Sequence, residues 1–531
     1  MKKTITRLAL TLSIAAAMSA CGTTAPVQQS AAQMRQTHGY VAVALPRLLG
    51  VGAPEITLRP VGGGAEYVLA PTATDSEVLG LWVPPGQYEI VQMRGSNKDS
   101  YTPVEVKAGH VTDMGGIAWA GIGDNEQVLL PLRHKDLSAA VDAATRSFDG
   151  LGLGERIEWK PTAPPPVQHV PTANNLPAGG MLVQAIAAYV DYANRTPLRT
   201  QLRSAKSLEE FTKLYLPSAA PVMGGSSADA AGAVYPGGNF GQLRRRDAAG
   251  SWRVIDTGTI SPLTAVEAAG PRVLAGTHDG VLLASADKGQ TWSRVHGFDK
   301  KENVINIHFA GNGYFVLTGK FAGAATGRTA EIESLQVYVL DPSTMAPTLL
   351  RKIDLPKKLN WFQMGSLGAS VAGNYYLVNT LASIERYDLG ARTWKTVSAP
   401  HDVTHLRSAK NGAILTAFKA QGGFSKLSVS LDAGNSWKAM ETPPYPVNDI
   451  QMESLEAGHA SRWDTGAFTS AMQLTQYDPS SKSWKATWTA PPATCTRTVR
   501  DASGKEQLCV TGGGSIFRIG AGKMVPELLA E

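Results

Sequence analysis

The chain has few cysteines, little excess charge and no long apolar run. Three cysteines occur among 531 residues. Two of them, Cys495 and Cys509, have no histidine nearby, so they fall short of the ligand set a zinc ion needs, and no metal is expected. Lys and Arg total 50 against 44 Asp and Glu, a formal charge of +6, smaller still once Lys2, Lys3 and Arg7 are set aside. So slight a balance over so long a chain excludes the basic stripe of a nucleic-acid binder. The one short basic run, LRRRD at 243–247, reads as a solvated strand edge, where charge discourages pairing with another chain. The apolar run LALTLSIAAAM at 8–18 is too short to cross a bilayer as a stable helix. Catalytic signatures are missing too: there is no His-Glu-x-x-His and no Gly-x-Ser-x-Gly. The glycine-rich GGGSIFRIG at 512–520 lies between strands rather than ahead of a helix, so it is no phosphate loop. No cofactor is expected.

What is present begins with an address. MKKTITR is a short basic segment, the apolar run follows, and MSAC places small residues just before Cys21. This pattern resembles the lipobox of bacterial lipoproteins, with Met18 where that family prefers Leu. The resemblance implies cleavage of residues 1–20, lipidation of Cys21 and membrane attachment through several acyl chains. Gly22, not Asp, follows the cysteine, which by the same resemblance implies the outer membrane. Residues 21–36 are polar and aperiodic and read as a flexible tether. An oxidising compartment would permit a disulfide between Cys495 and Cys509. They bracket TRTVRDASGKEQL, which reads as two strands around a turn, and closing such a loop stabilises by about 3 kcal/mol on the chain-entropy model. Two free thiols are the alternative.

Residues 37–120 carry short β-rich runs separated by Gly, Pro and Asp: YVAVAL, EITLRPV, EYVLA, EVLGLWV, QYEIVQM and TPVEVKAG. In LWVPPGQYEIVQM a Pro-Pro-Gly turn leads into Tyr88 and Ile90 on one face. The run PPGQYEI followed by VEVKAG resembles transthyretin-like β-sandwich modules, and a sandwich is expected. Residues 121–232 read as a helical and Pro-rich connector. A helix is expected over 136–148 with Asp136 as its cap. A second is expected over 207–216, where Ser207 and Glu210 have capping-box spacing. The Pro-rich 160–180 reads as an extended spacer or strap, and GGSSADAAG at 224–232 as loose chain.

From 233 to 531 a turn ending in tryptophan recurs: RDAAGSW, SADKGQTW, YDLGARTW, SLDAGNSW and YDPSSKSW end at Trp252, Trp292, Trp394, Trp437 and Trp484, and LDPSTMAPTLL fills the one double interval. A period of roughly 40–50 residues built of short strands is the signature of a β-propeller. Asp can accept backbone N–H groups, Gly supplies positive φ, and Trp can bury an apolar face between blades. The two full matches are Ser285, Asp287, Gly289, Thr291, Trp292 and Ser430, Asp432, Gly434, Ser436, Trp437. They resemble the Asp-box, or BNR repeat, of sialidases, sortilin-type receptors, some glucanases and the photosystem II assembly factor family. The resemblance implies structural turns far from any active site. The fold class is therefore mainly all-β: a sandwich, a connector and a propeller of six or seven blades, seven being favoured. The final strands either share a blade with 233–245 or close a ring of six.

The sialidase resemblance implies three converging arginines, a Tyr-Glu pair and an acidic residue. The Arg-Ile-Pro tripeptide of that family is missing, and Arg272, Arg294, Arg328, Arg351, Arg386 and Arg407 are scattered. Asp354, Glu385, Asp449 and Glu453 read as surface charges. The expected function is a non-catalytic binding or assembly module on the outer membrane, with a protein or glycan partner. A glycan-active hydrolase and a purely structural role, docked through the Pro-rich strap, are the alternatives.

Overall fold

The computed structural model describes residues 30–46, 55–73, 76–91, 102–122, 126–169, 197–218, 226–228, 234–247, 249–299, 301–322, 331–360, 365–409, 412–419, 425–443, 447–465, 470–489, 495–500, 507–511, 516–520 and 523–528. The leader, Cys21 and Arg328 lie outside them. Ser30, expected in a flexible tether, instead opens the one-turn helix α1 (Ala31–Met34). Its hydroxyl accepts the Gln33 N–H and the Gln33 side chain accepts the Ser30 N–H, a reciprocal cap.

The next strands are β1 (Gly39–Ala44), β2 (Thr57–Pro60), β3 (Tyr67–Val68), β4 (Ala70–Pro71), β5 (Val78–Val83), β6 (Gly86–Val91), β7 (Val104–Val106), β8 (Val111–Gly121) and β9 (Glu126–Leu132). After helix α2 (Lys135–Thr145) come β10 (Ile157–Glu158) and β11 (Gln168–His169). One sheet has the order β11-β9-β8-β1-β5-β4 with β10 beside β8; the other has the order β3-β2-β6-β7. Their apolar faces meet: Val41, Val43, Leu79 and Ile117 pack against Leu58, Ile90, Val104 and Val106. Tyr88 is buried in that core, and its hydroxyl donates to Pro84 O at 2.7 Å across the Pro-Pro-Gly turn. The larger sheet runs past residue 120, because β9 to β11 complete it. Every residue of β1 is buried, since helices cover its second face. Gly80 makes this possible: a Cβ there would lie 2.1 Å from the Tyr40 hydroxyl.

The connector is packed rather than loose. Helix α2 is capped by the His134 side chain, which accepts the Asp136 N–H at 3.2 Å; Asp136 is inside the first turn and is not the cap. Helices α3 (Pro197–Ser204) and α4 (Leu208–Ser218) follow. Ser207 accepts the Glu210 N–H at 3.1 Å, and the Glu210 carboxylate reaches back to Lys206 N rather than to Ser207. Within the Pro-rich stretch, the described residues hug the sandwich: β11 pairs with β9. Just ahead of that stretch, Trp159 is buried and donates to Thr102 O. Leu202, Phe211 and Tyr215 of the helices pack against Ala118, Val128 and Leu130 on one side and Phe240 and Ile260 on the other.

The remaining chain forms seven four-stranded antiparallel sheets, each from one continuous run: blade 1 at 226–256, blade 2 at 263–297, blade 3 at 302–360, blade 4 at 368–398, blade 5 at 405–440, blade 6 at 447–489 and blade 7 at 495–528. Innermost strands meet in cyclic order, blades 5 and 6 through the Gln451 to Ser408 O hydrogen bond, and the first, Ser226–Ala228, touches the last, Cys495–Arg500, so the ring closes. The favoured count of seven is borne out, and the way the ring closes is corrected: among the described residues no blade is shared between the chain ends. The same strand order corrects the reading of 224–232 as loose chain, since three of those residues are the innermost strand of blade 1. A polar strand of three residues has no alternation to reveal it.

The repeat's tryptophans lie at seams between blades. Trp292 packs with Tyr235 and Leu243 of blade 1, Trp394 with Phe315 of blade 3, Trp437 with Leu377 of blade 4, and Trp484 with Phe418 of blade 5. Each therefore leans on the preceding blade. Met345 fills the corresponding place between blades 2 and 3.

Candidate functional site

Antiparallel connectivity gives the propeller two faces. Hairpins joining strands one and two, and three and four, of each blade lie on one face. Hairpins joining strands two and three, and the links to the next blade, lie on the other. The tryptophan-ended turns all join strands three and four, so all lie on the first face.

Their chemistry is self-contained. Ser285 Oγ accepts the Gly289 N–H at 2.8 Å and donates to Asp287 Oδ1 at 2.7 Å. Asp287 also accepts the N–H groups of Gln290 and Thr291 and the Thr291 hydroxyl. The second octapeptide repeats the pattern: Gly434 N–H to Ser430 Oγ at 2.8 Å, Ser430 to Asp432 at 2.7 Å, and Ser436 to Asp432 at 2.6 Å. Gly289 and Gly434 have φ of 84° and 87°, which only glycine adopts at no steric cost. Thr291 and Ser285 hold the Asp287 carboxyl well below the usual range. Asp432 is held at about 2 by Ser436 and Ser430 against the upward push of desolvation. Ser343 and Thr344 hold Asp341 at about 2. These carboxylates are fully engaged in shaping their own turns.

Much of the channel wall between blades 2 and 6 is bonded internally as well. An innermost strand has one edge without a neighbour, and its free N–H and C=O groups need partners. Side chains of the adjacent innermost strand supply them. Thr264 donates to Val304 O, Glu267 accepts Phe309 N–H, Asn306 accepts Ala369 N–H, and His308 donates to Ala369 O. Ser370 accepts Ser408 N–H and Gln451 donates to Ser408 O. A polar belt thus links blades 2 to 6 around the axis.

The scattered arginines do not converge on that axis. Arg294 is exposed on an outermost strand, and Arg407 alone among the described five lies on an innermost strand. Arg272 donates to Pro342 O across the seam between blades 2 and 3. Arg351 donates to Glu385 at 2.8 Å and stacks on Trp394 between blades 3 and 4. Arg386 covers Tyr375 and donates to Ala433 O of blade 5. Glu385 is consequently buried, accepting Thr396 as well, which corrects its reading as a surface charge. Asp354 is an exposed partner of Lys352, and Glu453 lies 4.0 Å from His459. The side chain of Asp449 is outside the described set.

LRRRD is corrected most sharply. Arg246 is buried and bonds Glu527 of blade 7 through Nε at 2.6 Å and Nη2 at 2.8 Å. Trp252 at 3.1 Å and Arg518 at 2.9 Å bind the same carboxylate, so Glu527 clasps the closing seam. Arg244 is fully buried, donates to Pro217 O at the end of α4, and has Nε and Nη1 without partners. Burial pushes its guanidinium down to about 10.

Cys495 and Cys509 lie on paired antiparallel strands of blade 7. Cys509 stands opposite Thr498 and Cys495 opposite Thr511, with a register shift between Cys495 and Arg497. Cys509 is buried.

One polar cluster, unsignalled in the sequence, lies on the face opposite the tryptophan-ended turns. Glu302 begins the innermost strand of blade 3 and is buried. Its Oε2 accepts the Thr318 hydroxyl at 2.8 Å and the Tyr338 hydroxyl at 3.2 Å. Burial and the adjacent Glu302 carboxylate push the Tyr338 phenol far up, so it stays a donor. The Phe298 ring lies 4.7 Å from that of Tyr338 and 4.7 Å from that of His296, and all three are half-buried. The Phe298 N–H is anchored on Gly280 O at 2.8 Å. The pair Tyr338–Glu302 faces blade 2, not the axis, because Tyr338 stands on the third strand of its blade among residues packed against Leu274 and Leu282.

No family model matches the chain, and no curated protein does. Solved structures resemble it at low identity. A structure titled "YCF48 bound to D1 peptide" is 13% identical, covering 57% of this chain and 93% of its own, with a TM-score of 0.41. The tricorn protease is 11% identical over 58% of this chain and 34% of its own, with a TM-score of 0.40. A structure described as a putative 6-phosphogluconolactonase from Bacteroides fragilis NCTC 9343 is 11% identical over 55% of this chain and 89% of its own, with a TM-score of 0.39. The assignment of a seven-bladed propeller rests on the strand order of the chain itself.

Proposed function

We propose that this chain is a non-catalytic binding or assembly module of the bacterial envelope. A lipid on Cys21 holds it to the outer membrane, and the propeller face opposite the tryptophan-ended turns meets a protein partner. The observation that carries this reading is the deployment of the arginines. Arg246, Arg272, Arg351 and Arg386 each brace a seam between two blades. Arginines so engaged stiffen a platform rather than grip a substrate carboxylate. The two octapeptides act in this reading as Asp-box turns, and Cys495 and Cys509 form a disulfide within blade 7.

The test is crosslinking in intact cells followed by mass spectrometry of the tagged protein. A partner in near-stoichiometric amount, crosslinked to the face that carries Phe298 and Glu302, is the expected result. Background proteins alone, in a sample whose Cys21 is shown to be lipidated, would overturn it. The glycan-hydrolase reading is favoured by one observation, the Tyr338–Glu302 pair at 3.2 Å. Turnover of a fluorogenic glycoside that disappears in Glu302→Gln would replace the proposal with that reading.

A further inference from the structure

Resting on the binding-module reading, we infer that the notch between blades 2 and 3 formed by Glu302, Phe298, Tyr338 and His296 receives a lysine or arginine side chain of the partner. Glu302 is only 6% exposed, and a carboxylate taken that far from water needs compensation. Thr318 and Tyr338 both bond Oε2; Oε1 takes neither of them. Lys320, the residue opposite Glu302 in register, turns instead to Asp299, at 3.6 Å. The carboxylate therefore has hydroxyl donors on one oxygen and, among the described residues, no Lys or Arg in an ion pair with it.

The walls decide the class of ligand. His296, Phe298 and Tyr338 form a row of half-buried rings beside the carboxylate. Aromatic faces attract organic cations, and a carboxylate at the end of such a row adds a charge-assisted bond. Calcium or magnesium would want six or more oxygen ligands, the rings offer none beyond the Tyr338 hydroxyl, and no group of three or more His, Cys, Asp or Glu side chains placed to hold a metal occurs among the described residues. An anion would meet both Glu302 and Asp299. A basic side chain suits the place: its methylenes lie along the rings and its head reaches Oε1. The notch is on the connection-bearing face, between the Thr277–Gly280 turn and the link from blade 2 to blade 3, whose backbones are joined at Phe298 and Gly280.

The test uses the full chain and four probes: the N-acetyl methylamides of lysine, arginine, norleucine and glutamate. Saturation-transfer NMR is expected to show millimolar binding of the lysine and arginine probes only. Glu302→Gln, which keeps the shape and the hydroxyl partners, should weaken that binding about tenfold with an unchanged melting temperature. Phe298→Ala, at a half-buried site, should weaken it severalfold and guards against a folding defect in the first variant. Equal binding of the norleucine probe, or equal binding of lysine by wild type and Glu302→Gln, would overturn the inference. In-cell crosslinking separates the two proposals. A partner recovered equally by wild type and Glu302→Gln, with contacts elsewhere, removes the notch and leaves the module. Probe binding with no partner recovered removes the module reading and, with it, the partner as the source of that side chain, while the notch keeps its selectivity for a basic group.

Discussion

At the scale of single residues, charge in this protein is structural on one face and at the seams. Asp341 and Asp432 have folded-state values of about 2, against an ordinary value of roughly 3.9. A depressed carboxyl contributes stability that is complete above its unfolded value and is lost as pH falls through the folded one. Melting temperature should therefore hold steady to about pH 4 and fall between about pH 4 and pH 2. Asp287 and Asp478 are also depressed and should steepen the loss. Asp432→Asn should flatten part of that slope, which a series of melts in this window would read directly. The closing seam makes a second prediction. Arg246→Met leaves the half-buried Glu527 with Arg518 and Trp252 but without its bidentate partner. A loss of about 2–3 kcal/mol is expected, less than for a wholly stranded charge. Arg244→Met removes a buried guanidinium whose Nε and Nη1 already lack partners, so stability should be unchanged or raised. Denaturant midpoints of the two variants would check this, and the opposite order would refute it.

At the scale of elements, legibility followed the range of the forces involved. The tryptophan-ended turns could be read because their chemistry closes within eight residues: Ser, Asp and Gly satisfy the turn, and Trp leans on the preceding blade. The α4 cap could be read for the same reason. The strand Ser226–Ala228 could not, because its placement comes from pairing with Val234–Pro236 and from ring neighbours. Arg244 and Arg246 read as solvated because their burial is imposed by α4 and by blade 7, the latter some 280 residues away. Glu302 gave no signal because Thr318 and Tyr338 arrive from two later strands. The proposed disulfide is an element-scale prediction. The two strands are paired, yet the cysteines are offset by two register positions beside a register shift, so the bridge would be diagonal. Peptide mapping without reductant should recover the Cys495 and Cys509 peptides joined, and reduction should cost about 3 kcal/mol. Two alkylatable thiols in the native protein would refute the pairing.

At the scale of the whole molecule, sandwich, helices and propeller share one core. It runs from Val128 and Leu130 through Leu202, Phe211 and Tyr215 to Phe240 and Ile260. Tyr215 is the centre of this weld: it stacks on Phe211 at 6.0 Å and meets Phe240 at 6.1 Å. The Arg203–Glu126 ion pair ties α3 to the sandwich beside it. With Cys21 lipidated, as proposed, the chain up to Ser30 reaches at most about 30 Å. A rigid weld then keeps the propeller within a bounded distance of the bilayer, whereas a loose linker would add its own reach. The consequence is thermodynamic and can be measured. Large multidomain chains commonly unfold in several steps, but units that share a core must lose it together. Calorimetry of the wild type should show one transition spanning sandwich and propeller. Tyr215→Ala removes about as much as any large aromatic truncation, about 3–5 kcal/mol, and removes it from the weld alone. The single peak should split in two, with the propeller peak at the higher temperature, because its seven blades keep their own seam cores. Two peaks already present in the wild type would mean that the weld does not couple the units, and that the propeller is free to move relative to its anchor.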